Sequence, residues 1–127
     1  MNESLGKLLL RLGYGGLMIT HGWPKLSKLI ETGKFEFGDP IGVGPTLSLL
    51  LTIFAEFLCS ILVVIGFKTR IAAIFPAITM VVAAFIVHGD DPFRRKEMAI
   101  LYLIGFVAIA LVGPGDYSLD KRGRKPF

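Results

Sequence analysis

The sequence has few of the residues with which a single chain carries out redox chemistry. Its one cysteine, Cys59, excludes an internal disulfide and a CxxC pair. It has no Rossmann-type glycine motif, no haem or iron–sulfur ligand pattern and no closely spaced histidine pair. Charged residues are also scarce, at 19% against 53% hydrophobic, which is too apolar for an ordinary soluble domain. The composition therefore indicates a membrane domain without a redox cofactor of its own.

The apolar residues fall in blocks, and the block Thr46–Phe67 organises the chain. A helix of that length rises about 33 Å, enough to cross the hydrocarbon layer of a bilayer. The pattern predicts an all-α membrane protein, a single domain over residues 1–127 that forms an antiparallel up-down bundle of four transmembrane helices. The predicted helices span about residues 5–22, 46–67, 70–88 and 97–112, with a long first connection and a basic tail over 116–127.

The charge distribution fits a membrane surface better than a nucleic acid. The net charge is +4, and the cations crowd between the apolar blocks and into the tail, so no nucleic-acid partner is expected. No small-x-small cleavage site follows Lys7 and Arg11, so the first helix is expected to be retained. Four helices place both termini on one side, and the count of cations favours the cytoplasm.

The first two helices each carry an ionisable side chain on an inward face. Arg11 belongs to a stripe of helical period on the first helix, and Glu56 lies near the middle of the second. A charge at bilayer depth costs roughly 2.5 kcal/mol or more, so each needs a partner. Counted from the ends of their predicted helices, both lie about 15 Å from the same mouth of the bundle. The sequence predicts a buried Arg11–Glu56 ion pair.

The alternating helix directions bring further polar and aromatic residues to that mouth. We expect a polar cavity with Arg11 and Glu56 as its floor, and such a cavity suits a quinone or a similar small aromatic molecule. The other predicted pocket residues are Tyr14, His21, Trp23, Lys25, His88, Glu97 and Tyr102.

Three other interpretations of these residues stay open. Arg11 and Glu56 are equally consistent with an ion pair that only fixes helix register. His21 and His88 are also typical of helix ends at a membrane interface. With Glu97 they would make a metal-ligand set, although their spacing does not favour it and no metal is expected.

The most specific motifs of the chain are the turn Gly66-Phe67-Lys68-Thr69-Arg70 and the segment Gly113-Pro114-Gly115-Asp116-Tyr117-Ser118-Leu119-Asp120. These motifs resemble the DoxX family of small four-helix bacterial membrane proteins. The helix exit His21-Gly22-Trp23-Pro24-Lys25-Leu26 also matches. The recurrent polar positions of the family correspond here to His21, Lys25, Glu56, Arg70, His88 and Glu97, and Lys68 and Arg70 form the structural turn.

The resemblance implies a multi-pass protein of the bacterial inner membrane. Some relatives are subunits of quinone-linked oxidation or associate with redox-stress enzymes, so the first hypothesis is an oxidoreductase subunit that binds a quinone and has no intrinsic cofactor. Its partners would be the lipid bilayer and a soluble or membrane redox enzyme. The alternative is a non-enzymatic chaperone or assembly factor that binds another protein through loops 1 and 3. A transporter would require a homo-oligomer.

Overall fold

The computed structural model describes residues 2–32, 42, 44–87 and 89–120. Within these ranges the protein consists of helices, without a strand, which confirms the all-α class. Helix α1 comprises Asn2–Leu10, the π-helical segment Arg11–Gly15 and Gly16–Thr32, and α2 comprises Pro45–Ile53, the π-helical segment Phe54–Leu58 and Cys59–Ile65. Helix α3 comprises Thr69–Val82 and the π-helical segment Ala83–Val87, and α4 is Phe93–Val112.

Helix α1 is longer than the sequence indicates. The predicted end at Gly22 is wrong, because Pro24 lies inside the continuous segment Gly16–Thr32 and no separate interfacial helix begins at Lys25. A proline costs a helix one backbone hydrogen bond, and packing against a neighbouring helix compensates for such a loss. Here the backbones of α1 and α2 come close together, since a Cβ atom on Gly22 would lie 2.7 Å from the carbonyl carbon of Glu56.

The contacts between α1 and α2 define their direction and register. Gly22 faces the backbone of Glu56, whereas Gly15, earlier in α1, faces Ser60 and Val64, later in α2. The two helices therefore run antiparallel, with Glu56 at the height of Gly22. Small residues at such crossings let helices approach closely, as in many membrane proteins.

The core lies where α3 and α4 meet the first two helices. Ala73, Val63, Phe106 and Ile109 are fully buried there, and Cys59 is a buried packing residue at 1% exposure. Among the described residues, two helical stretches, Leu47–Ile65 and Thr69–Val87, are long and apolar enough to cross a membrane, with mean hydropathies of 2.5 and 2.2. Large apolar side chains also cover the outward faces of the helices, among them Leu9, Leu17, Leu58, Ile78, Phe85, Leu101, Ile104 and Leu111.

Candidate ligand site

A partly open cavity of about 250 Å³ lies among all four helices. Its volume is slightly below the ~300–1,000 Å³ of typical pockets for drug-sized ligands, so it suits a single ring better than a long molecule. The lining residues are Met18, His21 and Lys25 from α1, Glu56 from α2, Met80 and Ala83 from α3, and Met98, Ala99 and Tyr102 from α4.

An ion pair between Lys25 and Glu56 forms the charged end of the cavity. The Lys25 Nζ lies 2.6 Å from Glu56 Oε1, and the Glu56 side chain is 4% exposed against 32% for Lys25. The burial of Glu56 confirms that this residue faces protein. Glu56 lies on the π-helical segment Phe54–Leu58, and single π-helical turns are frequent at functional sites. A buried carboxylate paired with a half-exposed ammonium can donate and accept hydrogen bonds at one ligand group.

Aromatic rings form one wall of the cavity. The His21 ring meets the Tyr102 ring edge to face, with centroids 5.4 Å apart and planes at 84°. The rings of Tyr14 and Tyr102 also meet edge to face, with their centroids 6.1 Å apart. Such pairs add about 0.5–1.5 kcal/mol beyond their buried area, so they hold the rings in place. His21 itself is exposed.

Three methionines, Met18, Met80 and Met98, line the cavity from three different helices. Thioether sulfurs are polarisable and make favourable contacts with aromatic rings, at about 0.3–1.5 kcal/mol each. Met18 is 1% exposed and Met98 is 57% exposed, so the cavity has both buried and exposed methionines in its lining.

The structure brings together four of the nine predicted pocket residues, His21, Lys25, Glu56 and Tyr102. Tyr14 packs behind the wall. Trp23 is 51% exposed and points away, with its ring 5.9 Å from that of Phe57. Glu97 is exposed and lies outside the lining, next to Met98. His88 lies outside the described residues, so its place in the pocket, and in a metal-ligand set, stays a prediction.

The predicted Arg11–Glu56 pair is wrong. Arg11 is 1% exposed and lies at the end of α2, far along the helix from Glu56. Its Nη1 donates to the carbonyl oxygen of Val64 at 2.9 Å, and its Nη2 donates to that of Tyr117. The last carbonyls of a helix lack intrahelical donors, and a cation there also interacts favourably with the helix dipole. Arg11 therefore caps α2 and is absent from the cavity.

Asp120 caps the next helix from the same region. Its Oδ1 and Oδ2 accept hydrogen bonds from the backbone N–H groups of Lys68 and Thr69, at 2.6 and 2.8 Å, and its own N–H donates to Gly66 O at 2.8 Å. Asp120 also interacts electrostatically with Arg11. The turn 66–70 and the segment 113–120 thus form one structural unit with Arg11, which we call the polar clamp.

Within the described residues, the class of the protein is all-helical, with two stretches apolar enough to cross a membrane. The DoxX family profile matches residues 6–89, and the chain belongs to that family. It is 31% identical over 125 residues to "Inner membrane protein YqjF" of Escherichia coli (strain K12), covering 94% of this chain and 92% of that protein. It is 31% identical over 123 residues to "Putative oxidoreductase CatD" of Bacillus subtilis (strain 168), with 94% and 90% covered. No solved structure matches significantly.

Proposed function

We propose that this protein is an integral protein of the bacterial inner membrane that binds a quinone or similar small aromatic ring in the cavity around Glu56. In this role it acts as a subunit of a redox system, and a separate enzyme supplies the redox cofactor. The observation that carries the proposal is the Lys25–Glu56 pair, with its buried carboxylate, at one end of a ring-sized cavity with aromatic and thioether walls.

Both the exposed apolar side chains and the lengths of the helices support a position in the membrane. Helices α2 and α3 are apolar enough to span, and α1 and α4 also expose large apolar side chains such as Leu9, Leu17, Ile104 and Leu111. Contiguous exposed apolar surface of this extent is unfavourable in water and natural in lipid. We therefore propose four antiparallel spans. The name of the Escherichia coli relative fits this placement.

The ring of the ligand would lie between the methionines and Tyr102, with a carbonyl or hydroxyl group at Lys25, Glu56 or His21. An ammonium donates to a carbonyl oxygen, and a carboxylate accepts from a hydroxyl group, so the pair can serve both the oxidised and the reduced form. A hydrophobic tail would leave through the open side of the cavity. The name of the Bacillus subtilis relative fits a redox role.

Titration of the purified protein with a short-tailed ubiquinone or menaquinone analogue tests the proposal. The single tryptophan, Trp23, lies two residues from both His21 and Lys25, so its fluorescence should be quenched saturably on binding. Glu56→Gln should weaken binding about tenfold or more, because a hydrogen bond to a charged group contributes roughly 1.5–3 kcal/mol.

Glu97→Gln is the matched control, since Glu97 is exposed and outside the cavity lining, and it should bind as the wild type does. The absence of saturable quenching in the wild type, or equal affinities of the two variants, would remove the ligand proposal. In the chaperone alternative, Trp23, Phe35 and Phe37 would contact the partner protein. Trp23 is exposed, and the other two lie outside the described residues.

We further propose that both termini face the cytoplasm. Cys59 is buried and is the only cysteine, so Cys59→Ala gives a background for single-cysteine variants. With four spans, Asn2→Cys in intact cells should resist a membrane-impermeant maleimide, and Arg94→Cys should react. If Asn2→Cys reacted and Arg94→Cys did not, the termini would lie outside the cytoplasm. If both variants reacted, or neither did, the two positions would lie on the same side of the membrane, which would contradict four spans.

A further inference from the structure

The three methionines of the cavity differ in how accessible their side chains are. Met18 is 1% exposed and Met80 is 7% exposed, and both belong to the buried core. Met98 lines the same cavity but is 57% exposed. An oxidant reacts with a thioether only where it can reach the sulfur, so Met98 is the methionine of this cavity that is open to oxidation.

Met98 also lies near the polar end of α4. The helix begins at Phe93, so Met98 is about 7.5 Å along it at 1.5 Å per residue, and the exposed Arg94 and Glu97 precede it. A small polar oxidant therefore reaches the sulfur without crossing the apolar middle of the bundle. One helical turn further along, on the same face, Tyr102 is buried and forms the aromatic wall of the cavity.

Oxidation would change the chemistry of the cavity lining at Met98. Hydrogen peroxide transfers one oxygen atom to the sulfur: the O–O bond breaks as the S–O bond forms, the thioether is oxidised to a sulfoxide, and the peroxide is reduced to water. The sulfoxide is polar, whereas the thioether is apolar and polarisable. A ring bound beside it would lose a favourable sulfur–aromatic contact and would bury a polar oxygen.

We propose that Met98 is a modification site, at which hydrogen peroxide forms the sulfoxide and thereby weakens the binding of an aromatic ring in the cavity around Glu56. The modification itself depends only on the exposure of Met98, whereas its effect on binding rests on the proposed function. A methionine sulfoxide reductase reverses the step with a dithiol, which is oxidised to a disulfide while the oxygen leaves as water. Occupancy of the cavity would then respond to the supply of peroxide.

Peptide mass spectrometry of the full chain, treated briefly with hydrogen peroxide in detergent, tests the modification site. Met98 should gain an oxygen atom at least about tenfold faster than Met18 or Met80, because a buried thioether reacts only when the structure opens locally. In denaturant the three methionines should react at similar rates, which controls for effects of the neighbouring sequence. If Met98 reacted no faster than the two buried methionines in the folded protein, the inference would be overturned.

Titration with the short-tailed quinone analogue, before and after peroxide treatment, tests the effect on binding. Oxidation should weaken binding by the wild type about fivefold, the effect of losing one sulfur–aromatic contact. Met98→Gln, which places a polar group at the same position, should weaken binding without peroxide. Met98→Leu is the matched control, because it keeps an apolar side chain of similar size without the sulfur, and peroxide should not change its affinity.

Two results would overturn the effect on binding: an unchanged affinity of the wild type after oxidation of Met98, or an equal loss of affinity in the wild type and Met98→Leu. A wild type that bound no analogue even before oxidation would remove the proposed function and the effect on binding together. The oxidation rates would then decide separately that Met98 is, or is not, the modification site.

Discussion

Arg11→Met is expected to lower the free energy of unfolding by about 3–5 kcal/mol, the largest effect of any single substitution we consider. Arg11 is 1% exposed, and the apolar side chain would leave the carbonyl oxygens of Val64 and Tyr117 without their donor. Asp120, itself 3% exposed, would lose the positive charge beside it. The loss would loosen α2 and the C-terminal segment together.

Denaturant titration in detergent, followed by circular dichroism, measures this effect. Arg11→Lys should give an intermediate loss, because an ammonium keeps the charge but lacks the fork that reaches two carbonyls. Arg94→Met removes an exposed arginine of the same chain and should stay within about 0.5 kcal/mol of the wild type. If the two methionine variants were equally stable, Arg11 would have no capping role.

The second large effect concerns the ion pair in the cavity. Lys25→Met should cost about 3 kcal/mol, because it leaves the Glu56 carboxylate 4% exposed and without its cation. The double variant Lys25→Met/Glu56→Gln should recover most of that loss, because a neutral amide is far less costly to bury than an unpaired carboxylate. The two substitutions are therefore expected to be strongly non-additive.

A double-mutant cycle on the free energy of unfolding checks this expectation. Lys28→Met, at an exposed lysine on the same helix, serves as the control and should change stability by about 0.5 kcal/mol or less. A double variant as unstable as Lys25→Met, or less stable, would mean that the carboxylate does not depend on Lys25. In that case the charged end of the cavity would need another explanation.

The sequence could not identify Lys25 as the ion-pair partner of Glu56, because the relative depths of residues on separate helices were not known. Two residues on different helices can be assigned the same depth in the membrane only if the helix ends from which they are counted lie at the same level. The depth of Arg11 was counted from a helix end at Gly22. The helix continues to Thr32, so Glu56 lies beside Gly22 and close to Lys25, while Arg11 lies at the far end of α2. The π-helical segments at Arg11–Gly15 and Phe54–Leu58 shift the register further, and nothing in the residue pattern marks them.

The capping role of Arg11 was not predicted, because a buried cation was expected to pair with a carboxylate and not with backbone carbonyl groups. Gly66, with a φ of 77°, is a typical helix-ending glycine, and the carbonyls before it need donors. That signal was present in the sequence and points to an arginine or lysine near the end of α2. Which cation of the chain supplies the donors depends on how α1 lies against α2.

The sequence by itself determined the helical class, the family and the inward direction of Glu56, because hydrophobic blocks, turn residues and helical period are local properties. Only the tertiary structure decided that Lys25 is the partner of Glu56, that Arg11 is a cap, and that methionines from three helices share one cavity. Those facts depend on the heights and rotations of separate helices, and for α1 and α2 these follow the close backbone approach at Gly15 and Gly22.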